Sequence, residues 1–131
     1  VNKEIVKMAN EFQEKGISFI AISSNDIKNY PADNPKKMSD TVINEKYTFP
    51  YLYDETQQVA KNYDAACTPD FYIFDSNKKL IYRGQLDDSR PGNNIPLSGS
   101  DIRTVFNCVL ESKEITLNQK PSIGCNIKWI D

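Results

Sequence analysis

Thiols are the strongest candidates for chemistry in this sequence, which contains three cysteines and no histidine. The lack of histidine excludes histidine-based acid–base catalysis, Ser-His and Cys-His pairs, and the commonest metal ligand. Cys67, Cys108 and Cys125 form neither a C-x-x-C pair nor an even set, so neither a disulfide framework nor a zinc site is expected. This cysteine usage favours a reducing compartment, and we expect a cytoplasmic protein.

Cys67 directly precedes Thr68 and Pro69, where a predicted helix ends and a strand begins. A trans proline would serve there as an edge or first-strand residue. A cis Thr68–Pro69 bond would form a turn, although cis bonds occur at only about 5–6% of X-Pro positions. Position alone leaves both conformations open.

Composition narrows the range of partners and cofactors. Sixteen Lys and Arg face 18 Asp and Glu, for a net charge of −2, and no stretch is strongly basic, so nucleic acid is not an expected partner. The longest apolar run, residues 19–22, is too short to span a membrane. No EF-hand spacing occurs, so we expect neither a metal nor another cofactor. The 131 residues fit a single domain, 1–131, whose last part, 116–131, is a tail.

Hydrophobic spacing and turn residues divide the chain into alternating helices and strands. The predicted helices are 2–15, capped by Asn2 and stopped by Gly16; 36–46; 55–63, capped by Asp54; and 99–112, capped by Ser98 or Ser100. The predicted strands are 17–22, covered on both faces; 49–53; and a hairpin of 71–74 with 79–83. This order predicts an α/β fold with a mixed central sheet and helices on both faces.

The order of elements resembles the second half of the thioredoxin fold: a helix, a Thr-Pro, a hairpin and a closing helix. Residues 51–57, 63–71, 82–92 and 121–129 further resemble a peroxiredoxin-like branch of the thioredoxin superfamily, the alkyl hydroperoxide reductase/thiol-specific antioxidant or redoxin group. The resemblance implies a cis Thr68–Pro69 bond facing a redox-active cysteine. It also implies a thiol oxidoreductase acting on peroxides or on protein and small-molecule thiols and disulfides, with a homo-oligomer possible. The rival hypothesis is a non-catalytic thioredoxin-fold binding module.

The sequence departs from that branch at its start. A strand ending in a cysteine motif precedes the first helix in the family pattern, and neither the strand nor the motif is present here. We therefore expect an N-terminally incomplete domain with a split sheet, or a gap filled by another segment or subunit. Alone, such a chain is expected to be inactive or impaired in family chemistry, or to function by docking into another chain.

The resemblance also suggests roles for individual residues, each with a plainer alternative. Thr68 and Pro69 would form a groove where an extended peptide pairs by strand addition. Cys67 would resolve an oxidised sulfur, or it would be only a small buried packing residue. Cys125 would be a redox thiol, or it would only help to pack the tail onto the body of the protein. Arg83 would stabilise an anion or thiolate. Cys108 is expected to be structural, and Arg90 to belong to a loop ion-pair cluster.

Overall fold

The computed structural model describes residues 1–131 and is a mixed α/β structure. The helices are α1 (Asn2–Phe12), α2 (Pro35–Asn44), α3 (Gln58–Asn62) and α4 (Ser100–Leu110), with short 3-10 turns at Gln13–Lys15 and Pro31–Asp33. The strands are β1 (Ala21–Ser23), β2 (Tyr51–Tyr53), β3 (Cys67–Thr68), β4 (Phe71–Phe74), β5 (Leu80–Gly84) and β6 (Cys125–Asn126). No helix has the length and apolar character needed to cross a membrane.

The strands form three separate two-stranded ladders, and the single mixed central sheet of the predicted fold is not confirmed. β1 pairs with β2 in parallel, while β4 pairs with β5 and β3 with β6 in antiparallel orientation. No ladder joins β1 to β4. The three separate ladders agree with the split of the sheet that we expected.

The strand predicted over 17–22 was expected to be covered on both faces, and this is wrong. Ile17 and Phe19 pack against the main core, whereas Ile20 and Ile22 are 64% and 43% exposed. Leu52, which lies opposite Ile22 in the parallel pair, is also exposed. Side chains alternate between the two faces of a strand, and here only one face has a neighbour to pack against.

The main hydrophobic core lies between α1, α4 and the β4–β5 hairpin, as the helical spacing and the predicted hairpin suggest. Phe12 of α1 and Phe106 of α4 pack with ring centroids 4.9 Å apart. Tyr82 of β5 is 1% exposed within the same cluster, and its hydroxyl donates to the Gln85 carbonyl at 2.6 Å. The remaining fully buried members of the cluster are Met8, Leu86, Ile102 and Val105.

The predicted helix caps need correction. Asn2 is the first helical residue and Val1 the N-cap, so Asn2 does not cap α1. Asp54 does accept hydrogen bonds from Val59 and Ala60, but α3 starts at Gln58 because residues 55–57 form a turn.

The start of α4 is held by Asp87, a residue distant in sequence, and not by Ser98 or Ser100. The buried Asp87 carboxylate accepts the backbone N–H groups of Ser98 and Gly99 at 2.7 and 2.6 Å, and it also accepts a hydrogen bond from the Ser89 hydroxyl. Burial alone would raise the pKa of Asp87, but these hydrogen bonds outweigh it and hold the pKa below the usual value.

Replacing Asp87 with Asn should lower the free energy of unfolding by about 1–3 kcal/mol at neutral pH, because buried N–H groups lose a charged acceptor. A depressed carboxyl pKa contributes stability above its unfolded value, and that contribution is lost as the pH falls through the folded value. The difference between the two proteins should therefore shrink as the pH falls below about 4. Urea unfolding at neutral and acidic pH measures this difference in the free energy of unfolding.

The matched control is Asp88→Asn, since the Asp88 side chain is half exposed and pairs with Lys120 at the surface. Its effect should be much smaller than that of Asp87→Asn. Equal effects for the two variants at neutral pH would contradict the role given to Asp87.

Candidate functional site

The Thr68–Pro69 turn carries the candidate site, and its peptide bond is cis. Just before this turn, β3 pairs with β6, so that Cys67 lies opposite Asn126 and Thr68 lies opposite Cys125. The Thr68 hydroxyl also donates to the Cys125 carbonyl at 3.4 Å. The chain's own tail therefore occupies the strand edge that the sequence analysis assigned to an extended peptide.

A glycine permits this pairing. A Cβ atom on Gly124 would lie 2.2 Å from the Thr68 carbonyl oxygen, a separation that no real side chain tolerates. Gly124 therefore lets the tail backbone lie directly against the β3 backbone, and the next residue, Cys125, comes to rest beside the turn. The Cys125 side chain is exposed there.

The tail crosses the molecule as a C-terminal strap, defined here as residues 120–130. One end is fixed near β5, where the Gln85 N–H donates to the Lys120 carbonyl at 2.9 Å and the Ser122 hydroxyl donates to the Gly84 carbonyl at 2.6 Å. A Cβ atom on Gly84 would lie 2.4 Å from the Lys120 oxygen, so a second glycine allows a second backbone contact.

The other end of the strap is fixed beyond β6. Ile127 is 5% exposed, and its N–H donates to the Ala66 carbonyl at 3.1 Å. The Lys128 carbonyl accepts from the Asp26 N–H at 2.7 Å. Anchors on both sides thus place Cys125 between two fixed points.

Gln57 strengthens the second anchor. Its side chain is 2% exposed and donates to the carbonyls of Ser24 and Lys128 at 2.7 and 2.9 Å. Its amide oxygen accepts the Ile130 N–H at 2.9 Å. One buried amide therefore joins the strap to the chain after β1.

Cys67 is in a different environment from Cys125. Neighbouring residues of a strand point to opposite faces, so Cys67 points away from the face shared by Thr68 and Cys125. Its half-buried thiol has one proton to donate and lies within hydrogen-bond distance of two carbonyl oxygens, those of Ser122 at 3.5 Å and of Pro69 at 3.8 Å. It lines an open cavity of about 380 Å³ together with Asp70, Arg83, Gln119 and four further residues.

The surroundings of Cys67 favour its neutral thiol. Burial raises the pKa of Cys67, and the Asp70 carboxylate raises it further, while Arg83 partly opposes both effects. The Arg83 guanidinium lies 3.4 Å from the Asp70 carboxylate and donates to the Asp64 carbonyl at 2.6 Å. Arg83 therefore lies beside Cys67, and none of its hydrogen bonds reaches Cys125.

The structure brings Cys67 and Cys125 to adjacent positions of the β3–β6 ladder, with their side chains on opposite faces, and it leaves Cys108 apart from both. Cys108 lies on α4 in a separate open groove between that helix and the hairpin, half buried beside Leu80 and Ile115. All three thiols are free. No group of three or more cysteines, aspartates and glutamates is arranged to hold a metal ion.

Sequence reasoning missed Gly124 and Gln57 as residues that build the site. Gly124 has a detectable signal, a glycine directly before a cysteine in a polar tail, but its role depends on Thr68, 56 residues earlier in the chain. Gln57 carries no sequence signal, because its three hydrogen bonds go to backbone groups of distant segments.

Comparisons with known proteins place these features in a family. The AhpC/TSA family model matches residues 2–83. The solved structure of an uncharacterized conserved protein from Geobacillus kaustophilus is 57% identical in sequence to this chain, with a TM-score of 0.97. The match covers 99% of this chain and 69% of the Geobacillus chain. No curated protein gives a significant match.

A second solved structure, of a hypothetical protein from Sinorhizobium meliloti 1021, is 43% identical in sequence, with a TM-score of 0.96. The match covers 98% of this chain and 70% of the Sinorhizobium chain. The family match extends over more than half of this chain, from α1 into β5. The chain therefore belongs to the AhpC/TSA family, a peroxiredoxin-like family of the thioredoxin superfamily.

Proposed function

We propose that the chain takes part in thiol oxidoreduction, with Cys125 as its redox-active thiol and the Thr68–Pro69 turn as the place where a partner sulfur approaches. One observation carries the proposal: the strap holds an exposed thiol directly opposite Thr68. Membership of the AhpC/TSA family supports the reaction class, peroxide or disulfide reduction through cysteine sulfur.

The chemical step is attack by the Cys125 thiolate on an oxidised sulfur of a partner. With a partner sulfenic acid, formed when a peroxide oxidises a second thiol, an S–S bond forms, the S–O bond breaks and the hydroxide leaves as water after protonation. With a partner disulfide, the new S–S bond forms as the old one breaks, and one partner thiolate leaves. Cys125 is oxidised and the partner sulfur is reduced in both cases.

Cys67 is the weaker candidate for this step, because the thiolate is the nucleophilic form of cysteine. Its raised pKa favours the protonated thiol, as do the carbonyl oxygens of Ser122 and Pro69, either of which can accept its proton. We propose for Cys67 a reserve role as a resolving thiol, and for Arg83 a role in stabilising its thiolate. Arg83 fulfils that role only when Asp70 does not neutralise its charge.

A second candidate function is a non-catalytic binding module. The pairing of β3 with β6 supports it, because the edge beside Thr68 already pairs with an extended segment of the same chain without any sulfur chemistry. The two functions differ in one measurable property, the reactivity of Cys125.

Single serine variants of the three cysteines separate these functions. In a reaction with excess 5,5′-dithiobis(2-nitrobenzoate), the fastest of the three thiol phases should disappear in Cys125→Ser. It should persist in Cys108→Ser, the matched control, because that thiol lies in a separate groove. A mixed disulfide at Cys125, found by peptide mass analysis, would verify the site.

Two results would count against the redox proposal. One is an unchanged fastest phase in Cys125→Ser, which would assign the reactive thiol elsewhere. The other is a Cys125 that reacts no faster than a cysteine of the urea-unfolded chain, which would favour the binding module.

The charge balance around Cys67 generates a separate prediction. Asp70→Asn should lower the pKa of Cys67, because it removes a negative charge that disfavours the thiolate and leaves Arg83 unopposed. The pH curve for alkylation of Cys67, measured in a chain with serine at 108 and 125, should shift to lower pH. Arg83→Met should shift it to higher pH, and shifts in the same direction for both variants would refute this account.

A further inference from the structure

The edge of β3 beside the Thr68–Pro69 turn is occupied by the strap. The strap is anchored more firmly at its two ends than in its middle. The two ends of the strap are anchored by buried or part-buried groups, among them Ile127 and the Ser122 hydroxyl. The middle, residues 123–126, is exposed throughout, with Ile123 at 69%, and its ladder with β3 contains only two residue pairs. This middle section can therefore leave the edge while both anchors stay in place.

We propose that the strap is a built-in competitor for this edge, and that an extended peptide reaches β3 by displacing residues 123–126. The proposal rests on the function proposed above, which makes this edge the meeting place with a partner, and it adds the identity of the competing segment. While residues 123–126 pair with β3, they occupy the backbone donors and acceptors on this side of the strand. No other strand can then pair at this edge.

The close approach at Gly124 defines which peptides fit. Any residue that takes the place of Gly124 must bring its α-carbon to the same point, where a Cβ atom would meet the Thr68 carbonyl oxygen at 2.2 Å and the Thr68 carbonyl carbon at 3.0 Å. The partner is therefore an extended segment with glycine directly before the residue that pairs with Thr68. A peptide with a side chain at that position must shift away from β3 and lose ladder hydrogen bonds.

The test uses the full chain and two fluorescein-labelled peptides that copy residues 121–127 with serine at the cysteine position. The first peptide keeps the glycine, and the second has valine in its place. Gly124→Ala displaces the middle of the strap in the protein, while Ile43→Ala is the control, since Ile43 is 74% exposed on α2 and lies outside the strap. Fluorescence anisotropy measures binding.

We expect the glycine peptide to bind Gly124→Ala at least about tenfold more tightly than it binds the wild type, because the edge is free in a larger fraction of molecules. Ile43→Ala should behave like the wild type, and the valine peptide should bind none of the three. Equal affinity of the wild type and Gly124→Ala for the glycine peptide would overturn the proposal, as would equal binding of the two peptides.

If Gly124→Ala fails to fold, Ser122→Ala serves the same purpose, because it removes the hydrogen bond that anchors the strap to the Gly84 carbonyl. The same comparison then applies, with the same result overturning the proposal. These peptides carry no thiol, so their binding is independent of the reactivity of Cys125. An inert Cys125 with glycine-selective peptide binding would contradict the redox function alone, and a reactive Cys125 without that binding would contradict the strap proposal alone.

Discussion

The candidate site depends on two places where backbones touch without a side chain between them. At Gly84 the strap meets the end of β5, and at Gly124 it meets the carbonyl of Thr68. A β-carbon at either glycine would push the strap outward, break the β3–β6 ladder and move Cys125 from the turn. The position of the exposed thiol is thus set by the two residues that carry no side chain.

Buried polar side chains supply backbone groups with hydrogen bonds that a larger sheet would otherwise supply. With three two-stranded ladders, much of the chain has no repeating hydrogen-bond pattern, yet no buried side-chain nitrogen or oxygen lacks a partner. Asp54 and Asp87 each bind backbone N–H groups at the start of a helix, and Gln57 joins the strap to the segment after β1. Because each of these groups is buried, its loss leaves unpaired donors or acceptors in a poorly solvated place.

Local patterns were sufficient to predict the parts of the fold that depend on hydrophobic spacing. The apolar faces of α1 and α4 and the β4–β5 hairpin follow from residue order, whereas the cis turn at Thr68–Pro69 was expected only from the family resemblance. The exposure of Ile20 could not be predicted, since it depends on which elements cover a strand and not on the strand itself. The pairing of β6 also escaped prediction, because two exposed residues, Cys125 and Asn126, carry no periodicity.

The strap is part of the same chain as the edge that it covers, and this tether has a consequence for any competitor. A segment joined to its binding site by a short connection has an effective concentration in the range of about millimolar. The connection here is short, since Lys120 is already bound next to Gln85, only a few residues from Gly124. A free peptide at low concentration therefore competes poorly, whereas a partner that is itself tethered, by a covalent bond or by a neighbouring contact surface, competes on equal terms.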